Sequence, residues 1–222
     1  MLYTYAILLA DAVPIPPLLG ISGQPIHAIG TNELTAVVSG GINISSLRAL
    51  PEPELIKAVL THDQIICALF AHHTLLPLRF GTGFISENAV TSYLQSNQAH
   101  LLTQLRSLVG KAEYLLQITA KSLVIDKPTA PTGTAYLLAK KQQYQQQEQY
   151  KLLLEAERSA WLEHLQTWLT AQQIPYEIAT TDPLKIYFLM TADQLTELPL
   201  HQLSSARWTW QISPPTPPYH FT

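Results

Sequence analysis

The sequence predicts an α+β protein of two domains: an N-terminal ferredoxin-like α/β sandwich and a C-terminal α+β domain with a long helical arm. Three observations lead to this prediction. Short apolar segments with the composition of strands flank two helical stretches in the first half of the chain. A proline-rich segment then divides the sequence, and a long helical pattern follows it. The 222 residues, 47% of them hydrophobic, suffice to build a sizeable core.

The N-terminal half alternates predicted strands with two predicted helices. Apolar, aromatic and β-branched side chains predict strands at residues 2–9, 25–29, 34–39, 74–80 and 114–120. A helix is predicted from Pro51 to about Phe70, because proline and acidic residues are favoured in a first turn. The expected buried stripe of this helix is Leu55, Val59, Ile66 and Phe70. A second helix is predicted at residues 86–109, where Gly110 ends it.

The C-terminal half begins at a proline-rich segment that starts at Lys127, so the predicted domains are residues 1–126 and 127–222. A helical pattern covers residues 134–173, and a pattern of this length without caps predicts a break or a helical hairpin. Its apolar face is formed by Tyr136, Tyr150, Leu154, Trp161, Leu165 and Trp168. Strands and a short helix follow at residues 176–179, 184–190, 207–212 and 192–203. The tail from Pro214 onward is extended, because proline fixes φ.

Charged residues are scarce in this chain. Asp, Glu, Lys and Arg make up 13% of it, against about 25% in average proteins, and the formal net charge is −3. Such a chain lacks the basic field that attracts phosphates, which argues against nucleic-acid binding. A surface completed by uncharged and apolar side chains tends to associate, so we expect the protein to belong to an assembly.

Signals for a compartment are few. The apolar start has no preceding Lys or Arg and is interrupted by Asp11, so no secretory signal is expected. The uncharged stretch over residues 12–32 is rich in Pro and Gly, which is typical of a loop and not of a membrane span. Cys67 is the sole cysteine, which excludes an internal disulfide and favours a reducing, cytoplasmic location.

The sequence offers no arrangement typical of catalysis or metal binding. His62, His72 and His73 do not share a helix face at a distance that one ion could bridge, and we expect ordinary surface or half-buried side chains. The chain has no nucleophile elbow, and Cys67 lies in a helical pattern. We therefore predict no enzyme activity, no cofactor and no metal. The alternative is an anion- or small-molecule-binding enzyme domain at the turn Gly81-Thr82-Gly83, although phosphate-loop spacing is missing there.

One predicted strand holds the residues that we expect to contact a partner. Leu76, Leu78 and Phe80 share one face, and Pro77 marks an edge strand or a strand end, because proline cannot donate to a ladder. Arg79 has two interpretations: it pairs with a nearby carboxylate or carbonyl, or it anchors a protein partner, where arginine beside aromatic residues is enriched. The predicted partner-binding residues are Leu76, Leu78, Arg79 and Phe80.

Four segments of the chain form a recognisable combination. They are Tyr3-Thr4-Tyr5-Ala6-Ile7, His62-Asp63-Gln64 followed by Leu76-Pro77-Leu78-Arg79-Phe80-Gly81-Thr82, Gly133-Thr134-Ala135-Tyr136-Leu137-Leu138-Ala139-Lys140, and the C-terminal Pro215 with Pro217-Pro218-Tyr219-His220-Phe221. This combination resembles the gas vesicle protein F/L family over nearly the whole chain. Pro214, Thr216 and Gly83 depart from the residues that the family more often has. The resemblance marks as structural motif residues Pro77, Gly81, Thr82, Tyr136, Pro217, Pro218, Tyr219 and Phe221.

The resemblance implies a non-enzymatic α+β protein of gas vesicles, the hollow gas-filled shells that give aquatic microbes buoyancy. It implies a minor structural or assembly component that binds the small, very apolar shell protein, keeps it from aggregating during nucleation, and meets other gas vesicle accessory proteins. The implied location is the gas vesicle, inside the cell. A second alternative is an adaptor whose proline-rich tail docks into an aromatic groove. Under the main interpretation, the tail packs back on its own domain through Tyr219 and Phe221.

Overall fold

The structure is a computed structural model that describes residues 1–11, 15–47, 49–123, 133–200 and 207–222. Its strands are β1 (Leu2–Leu9), β2 (His27–Gly30), β3 (Leu34–Ser39), β4 (Leu75–Pro77), β5 (Gly83–Phe84), β6 (Ala112–Ala120), β7 (Tyr176–Ala179), β8 (Leu184–Met190) and β9 (Trp208–Ile212). Its helices are α1 (Ile44–Leu47), α2 (Glu52–Phe70), α3 (Glu87–Ser96), α4 (Gln98–Leu108), α5 (Gly133–Ala171) and α6 (Ala192–Thr196). These helices accompany two antiparallel sheets, which confirms the predicted α+β class.

The chain divides into two compact units. The first comprises Met1–Glu113 together with Pro215–Thr222, and the second comprises Tyr114–Pro214. The predicted boundary at residue 127 falls within residues 124–132, which lie outside the described residues, and it stays a prediction. The C-terminal tail belongs by its contacts to the first unit, although its place in the sequence put it with the C-terminal domain.

The first unit is built on a sheet ordered β2-β3-β1-β4, with β5 also paired to β1. β1 and β3 run antiparallel at its centre, where Ile7 lies opposite Ala36 and every residue of β3 is buried. β2 and β3 form a hairpin, closed by the Thr31 N–H donating to the Leu34 carbonyl at 2.7 Å. β4 ends the strand order, which confirms the edge position predicted from Pro77.

α2 begins and ends close to the predicted residues, but its buried face is rotated from the predicted stripe, of which Ile66 is buried and Leu55 and Phe70 are half-buried. Its buried residues are Ala58, His62, Ile65, Ile66 and Leu69. Val59, which was expected in the buried stripe, is 42% exposed. The prediction failed because it counted only apolar side chains, whereas a buried histidine occupies the middle of the true face.

The single helix predicted over residues 86–109 is two helices, α3 and α4. Ser86 caps α3, since its hydroxyl accepts the Ala89 N–H at 3.2 Å. The two helices meet at Asn97, whose φ of −110° and ψ of 9° lie outside the helical region. The two helices bury the leucines Leu94, Leu101, Leu105 and Leu108.

The second unit is built on a sheet ordered β7-β8-β6-β9. Its elements follow one another as β6-α5-β7-β8-α6-β9, which is the β-α-β-β-α-β order of ferredoxin-like folds. The ferredoxin-like arrangement, predicted for the N-terminal domain, thus occurs in the second sheet. In the first sheet, the β2–β3 hairpin is the next described element after β1, where a ferredoxin-like fold has a helix.

α5 is one continuous helix of 39 residues, whereas the sequence predicted a break or a hairpin. At 1.5 Å per residue it is about 58 Å long. Its glutamine-rich middle stays helical because glutamine is a good helix former. Leu165 and Leu169 are buried along it, while the motif residue Tyr136 is exposed, with the Lys140 Nζ 6.0 Å from its ring centre. None of the helices in the described ranges combines the length and apolar character needed to cross a bilayer.

Candidate functional site

The predicted partner-binding residues lie along the outer edge of the first sheet. β4 and β5 both pair with β1, and residues 78–82 form a loop between them. The loop is held at both ends, because the Leu78 N–H donates to the Tyr5 carbonyl at 2.9 Å and the Thr4 N–H donates to the Thr82 carbonyl at 3.0 Å. The motif segment is therefore an interrupted edge strand.

Beneath this loop, Tyr3 and His62 form a buried hydrogen-bonded network. A carbonyl only accepts, so the 3.0 Å contact between His62 Nε2 and the Leu78 oxygen places a proton on Nε2. In the neutral ring, Nδ1 then accepts from the Tyr3 hydroxyl at 2.9 Å. The Tyr3 oxygen in turn accepts from the Gly81 N–H at 3.0 Å. The network joins β1, α2 and the loop.

Burial controls the protonation of these side chains. His62 is 6% exposed, and desolvation lowers the pKa of its ring, although the Leu78 carbonyl and Asp63 act in the opposite direction. Desolvation likewise raises the pKa of the Tyr3 hydroxyl and of the Tyr5 hydroxyl. All three side chains are therefore neutral near pH 7, as the hydrogen-bonded network requires.

Residues 79–82 form a tight turn that favours glycine. The Thr82 N–H donates to the Arg79 carbonyl at 3.0 Å, and the Thr82 hydroxyl donates to the same oxygen at 2.7 Å. Gly81 takes the third position of this turn with a φ of +87°, a region that residues with a Cβ rarely adopt. The turn thus accounts for the Gly-Thr pair of the motif.

The turn has little left to offer an anion. The N–H groups of Gly81 and Thr82 already donate to the Tyr3 hydroxyl and the Arg79 carbonyl. The turn also leads into β5, and α3 begins only at Glu87, so the turn does not lie at a helix N-terminus. The anion-binding alternative therefore lacks the geometry on which it was based.

The four predicted contact residues divide between core and surface. Leu76 is buried, Leu78 and Phe80 are half-buried, and Arg79 is exposed. The Phe80 ring packs edge-on against Tyr3 and His62, with centroid distances of 6.2 and 5.7 Å. Phe80 is thus an internal contact, because the regular alternation of strand faces ends where β4 ends.

A cleft of about 390 Å³ opens beside β4. Three of the four predicted contact residues line it, namely Leu76, Leu78 and Arg79. The other lining residues are Ile7, Pro77, Thr82, Tyr93, Leu101, Gln104, Tyr219 and Thr222. Among these described lining residues, Arg79 has the only charged side chain. The cleft therefore combines an apolar wall of leucine, isoleucine and proline side chains with polar groups, and Arg79 is the cationic side chain at its rim.

The C-terminal tail packs against the first unit through two acidic side chains. The Tyr219 hydroxyl donates to Asp63 Oδ1 at 2.5 Å, and burial together with this contact raises the pKa of the Tyr219 hydroxyl. Glu113 is 3% exposed. Its carboxylate accepts the His220 backbone N–H at 2.8 Å and lies 2.7 Å from the His220 ring Nδ1. The tail thereby closes one side of the cleft, which Tyr219 lines.

Two of the four prolines of the tail are packed within the molecule, whereas Pro214 and Pro215 are exposed. Pro217 and Pro218 are buried, and Phe221 is half-buried. Upstream of them, Thr216 and Glu113 exchange backbone hydrogen bonds of 2.9 and 3.0 Å. An adaptor would need a run of accessible prolines to dock into an aromatic groove, and here only Pro214 and Pro215 of the tail are accessible.

Sequence reasoning assigned no role to the two titratable residues that organise this region, His62 and Glu113, and it was wrong to expect His62 as a surface or half-buried side chain, since His62 is buried. A signal existed for His62, since Ala58, His62, Ile65 and Leu69 recur at the spacing of one helix face. Glu113 has no such signal, because its partners are more than a hundred residues away in the sequence. Tyr136, also predicted as a motif residue, lies on α5 and is not part of the cleft.

Comparison with known proteins identifies the family. The family model described as gas vesicle synthesis protein GvpL/GvpF matches residues 1–222. A search of curated proteins gave no significant match.

Two solved structures are similar to this chain over almost its whole length. The gas vesicle protein GvpF from Anabaena sp. PCC7120 has 20% identity and a TM-score of 0.61, covering 99% of this chain and 94% of that one. GvpF from Microcystis aeruginosa has 18% identity and a TM-score of 0.63, covering 99% and 98%. TM-scores of this size over almost the whole chain show a shared fold, and the family match extends over every residue. The chain therefore belongs to the GvpL/GvpF family of gas vesicle synthesis proteins.

Proposed function

We propose that this protein acts in gas vesicle assembly inside the cell, by binding the small apolar shell protein at the cleft beside β4. Binding there would keep the shell protein from aggregating while vesicles nucleate. The protein works by contact and not by catalysis, and other gas vesicle proteins are further partners. The observation that carries this proposal is the meeting of Leu76, Leu78 and Arg79 in one partly apolar cleft at the end of the strand order.

The chemistry of the cleft suits an apolar chain segment. Its exposed rim includes the ring of Tyr93, 37% exposed, and the guanidinium of Arg79. Tyrosine and arginine are the side chains that most often dominate protein interfaces. A single cation can orient one acidic or carbonyl group of the partner, while the apolar walls supply most of the buried area.

Co-expression with the shell protein tests this proposal. The double variant Arg79→Glu with Tyr93→Glu places two carboxylates at the rim, and an apolar partner would have to bury them unpaired. We expect co-purification of the shell protein to fall at least about tenfold. The matched control is Leu60→Glu, which adds one carboxylate on α2 at a side chain that is 54% exposed and lies outside the cleft.

Two outcomes would contradict the proposal. One is an equal loss of binding in the Leu60→Glu control, which would move the contact away from the cleft. The other is no co-purification of the shell protein with the unchanged chain. Salt separates an apolar contact from a charged one: raising ionic strength from about 0.05 to 0.3 M should change binding less than about threefold, because screening acts on charge pairs.

A further inference from the structure

The first part of α5 exposes large apolar side chains along one line. Leu137 is 67% exposed, Tyr144 is 60% exposed and Leu152 is 59% exposed. A helix in a protein gains most of its stability from the packing of its apolar face against other parts of the structure. Of the exposed large apolar side chains of α5, these three lie along one line, which indicates a surface that is completed by another chain.

We define the α5 outer face as Leu137, Lys141, Tyr144, Gln145, Glu148 and Leu152, all of which are exposed. At about 100° per residue, these six positions fall within an arc of about 100°. The face has leucines at its two ends, opposite charges inside them, and Tyr144 with Gln145 at its centre. Positions at equal distances from the centre of the face therefore carry matching residue types, leucine with leucine and lysine with glutamate. Two copies of the face laid antiparallel would bring these matching residues together.

We propose that the α5 outer face binds the same face of a second copy of this chain, with the two helices antiparallel. In this dimer, a two-fold axis passes between Tyr144 and Gln145, so that residues at equal distances on either side of this point face each other across the interface. Leu137 then lies opposite Leu152 of the other copy, and Lys141 lies opposite Glu148. Each pair occurs twice because the interface is isologous. The leucine pairs close both ends, and the ion pairs flank the central tyrosines.

Charge selects this direction over the parallel one. In a parallel pair in register, Lys141 would face Lys141 and Glu148 would face Glu148. Like charges at neighbouring positions of paired helices are destabilising, whereas opposite charges contribute a few tenths of a kcal/mol each. The antiparallel arrangement turns all four central charges into attractive contacts.

The size of the overlap sets the expected strength. Residues 137–152 span about 24 Å of helix. A contact between two helices over this length buries less area than the standard stable interface of about 1,600 Å². A reversible dimer with a dissociation constant in the micromolar range follows. This surface lies outside the cleft beside β4, so failure of this proposal and failure of the proposed function are distinguishable.

The oligomeric state of the full chain, measured by analytical ultracentrifugation over about 1 to 500 µM, provides the first test. We expect a monomer mass at the low end and a dimer mass at the high end. The double variant Leu137→Asp with Leu152→Asp should remain monomeric throughout. Leu153→Asp is the matched control, since Leu153 is 49% exposed on the same helix but lies off the outer face, and it should dimerise like the unchanged chain.

Charge reversal tests the register. Lys141→Glu alone and Glu148→Lys alone should each weaken self-association roughly tenfold, with far-UV circular dichroism confirming that the helix is retained. An equimolar mixture of the two variants should restore association, because every facing pair is then Glu with Lys. A monomer mass for the unchanged chain at every concentration would overturn the proposal, and so would a mixture that associates no better than either variant alone.

Discussion

Gly81 shows how a single backbone angle supports the edge loop. Its φ of +87° is costly for any residue with a Cβ, although an added Cβ would meet nothing within 4 Å. We predict that Gly81→Ala lowers the free energy of unfolding by about 1–2 kcal/mol through backbone strain alone. Gly40→Ala is the matched control, since Gly40 also has open space but an ordinary φ. Urea unfolding measures both variants, and an equal effect of the two would refute the account of the turn.

His62 makes the stability of the first unit depend on pH. Burial lowers the pKa of its ring in the folded chain, so the unfolded chain takes up the proton first as the pH falls. The stability that neutral His62 contributes is therefore complete above about pH 6.5, the ordinary pKa of histidine. It is lost as the pH falls from there through the lower pKa of the folded state.

The variant His62→Gln measures this contribution. The difference in unfolding free energy between the unchanged chain and the variant should be largest at about pH 7.5 and should shrink toward about pH 5. The same substitution at exposed His100 controls for the loss of an imidazole ring elsewhere. A difference at position 62 that does not vary with pH would show that the ring does not titrate in this way.

For single residues, the sequence patterns predicted the position of the motif segment in the sheet better than they predicted which residues its side chains contact. The motif segment was predicted at a sheet edge, where the structure has it. Phe80 was assigned to a partner because strand alternation was extended into a turn. The hydrogen bond between the His62 ring and the Leu78 carbonyl joins positions 16 residues apart. It depends on the conformation of a loop, which the periodicity of apolar residues does not predict.

At the scale of elements, the tail is held by one buried carboxylate. Glu113 accepts from the backbone and faces the ring of His220, which are hydrogen bonds of the stronger, charge-assisted kind. We predict that Glu113→Gln costs about 1–3 kcal/mol, because an amide cannot accept at both atoms. It should also speed the release of C-terminal residues by carboxypeptidase. Exposed Glu177→Gln is the control, and unchanged tail protection in Glu113→Gln would contradict this role.

Helix lengths were predictable, whereas helix faces were less so. The start of α2 was predicted to within one residue from the proline and acidic residues of its first turn. The extent of α5 was predicted because neither proline nor glycine interrupts the sequence that follows Gly133. The division between α3 and α4 at Asn97 had no proline or glycine to announce it. For α5, length alone suggested a hairpin, yet a run of good helix formers gives no reason for the chain to turn.

At the scale of the whole molecule, composition and element order predicted the fold class. They did not predict which half of the chain has the ferredoxin-like arrangement of strands and helices. Strand order is decided by which hydrogen-bonding edges meet, and the β2–β3 hairpin fills the position that a ferredoxin-like fold gives to a helix. The tail joins the first unit through Glu113 and Asp63, which lie far from it in the sequence. Such long-range contacts leave no local pattern in the sequence.

Under the proposed function, the cleft beside β4 is the contact that supports vesicle assembly. The most direct measurement is replacement of the native protein in a gas vesicle-forming cell, with intact vesicles scored by pressure-collapsible light scattering. We predict that the unchanged chain and the Leu60→Glu variant restore vesicles, and that Arg79→Glu with Tyr93→Glu does not, although it is expressed and folded. Full restoration by the cleft variant would contradict the account.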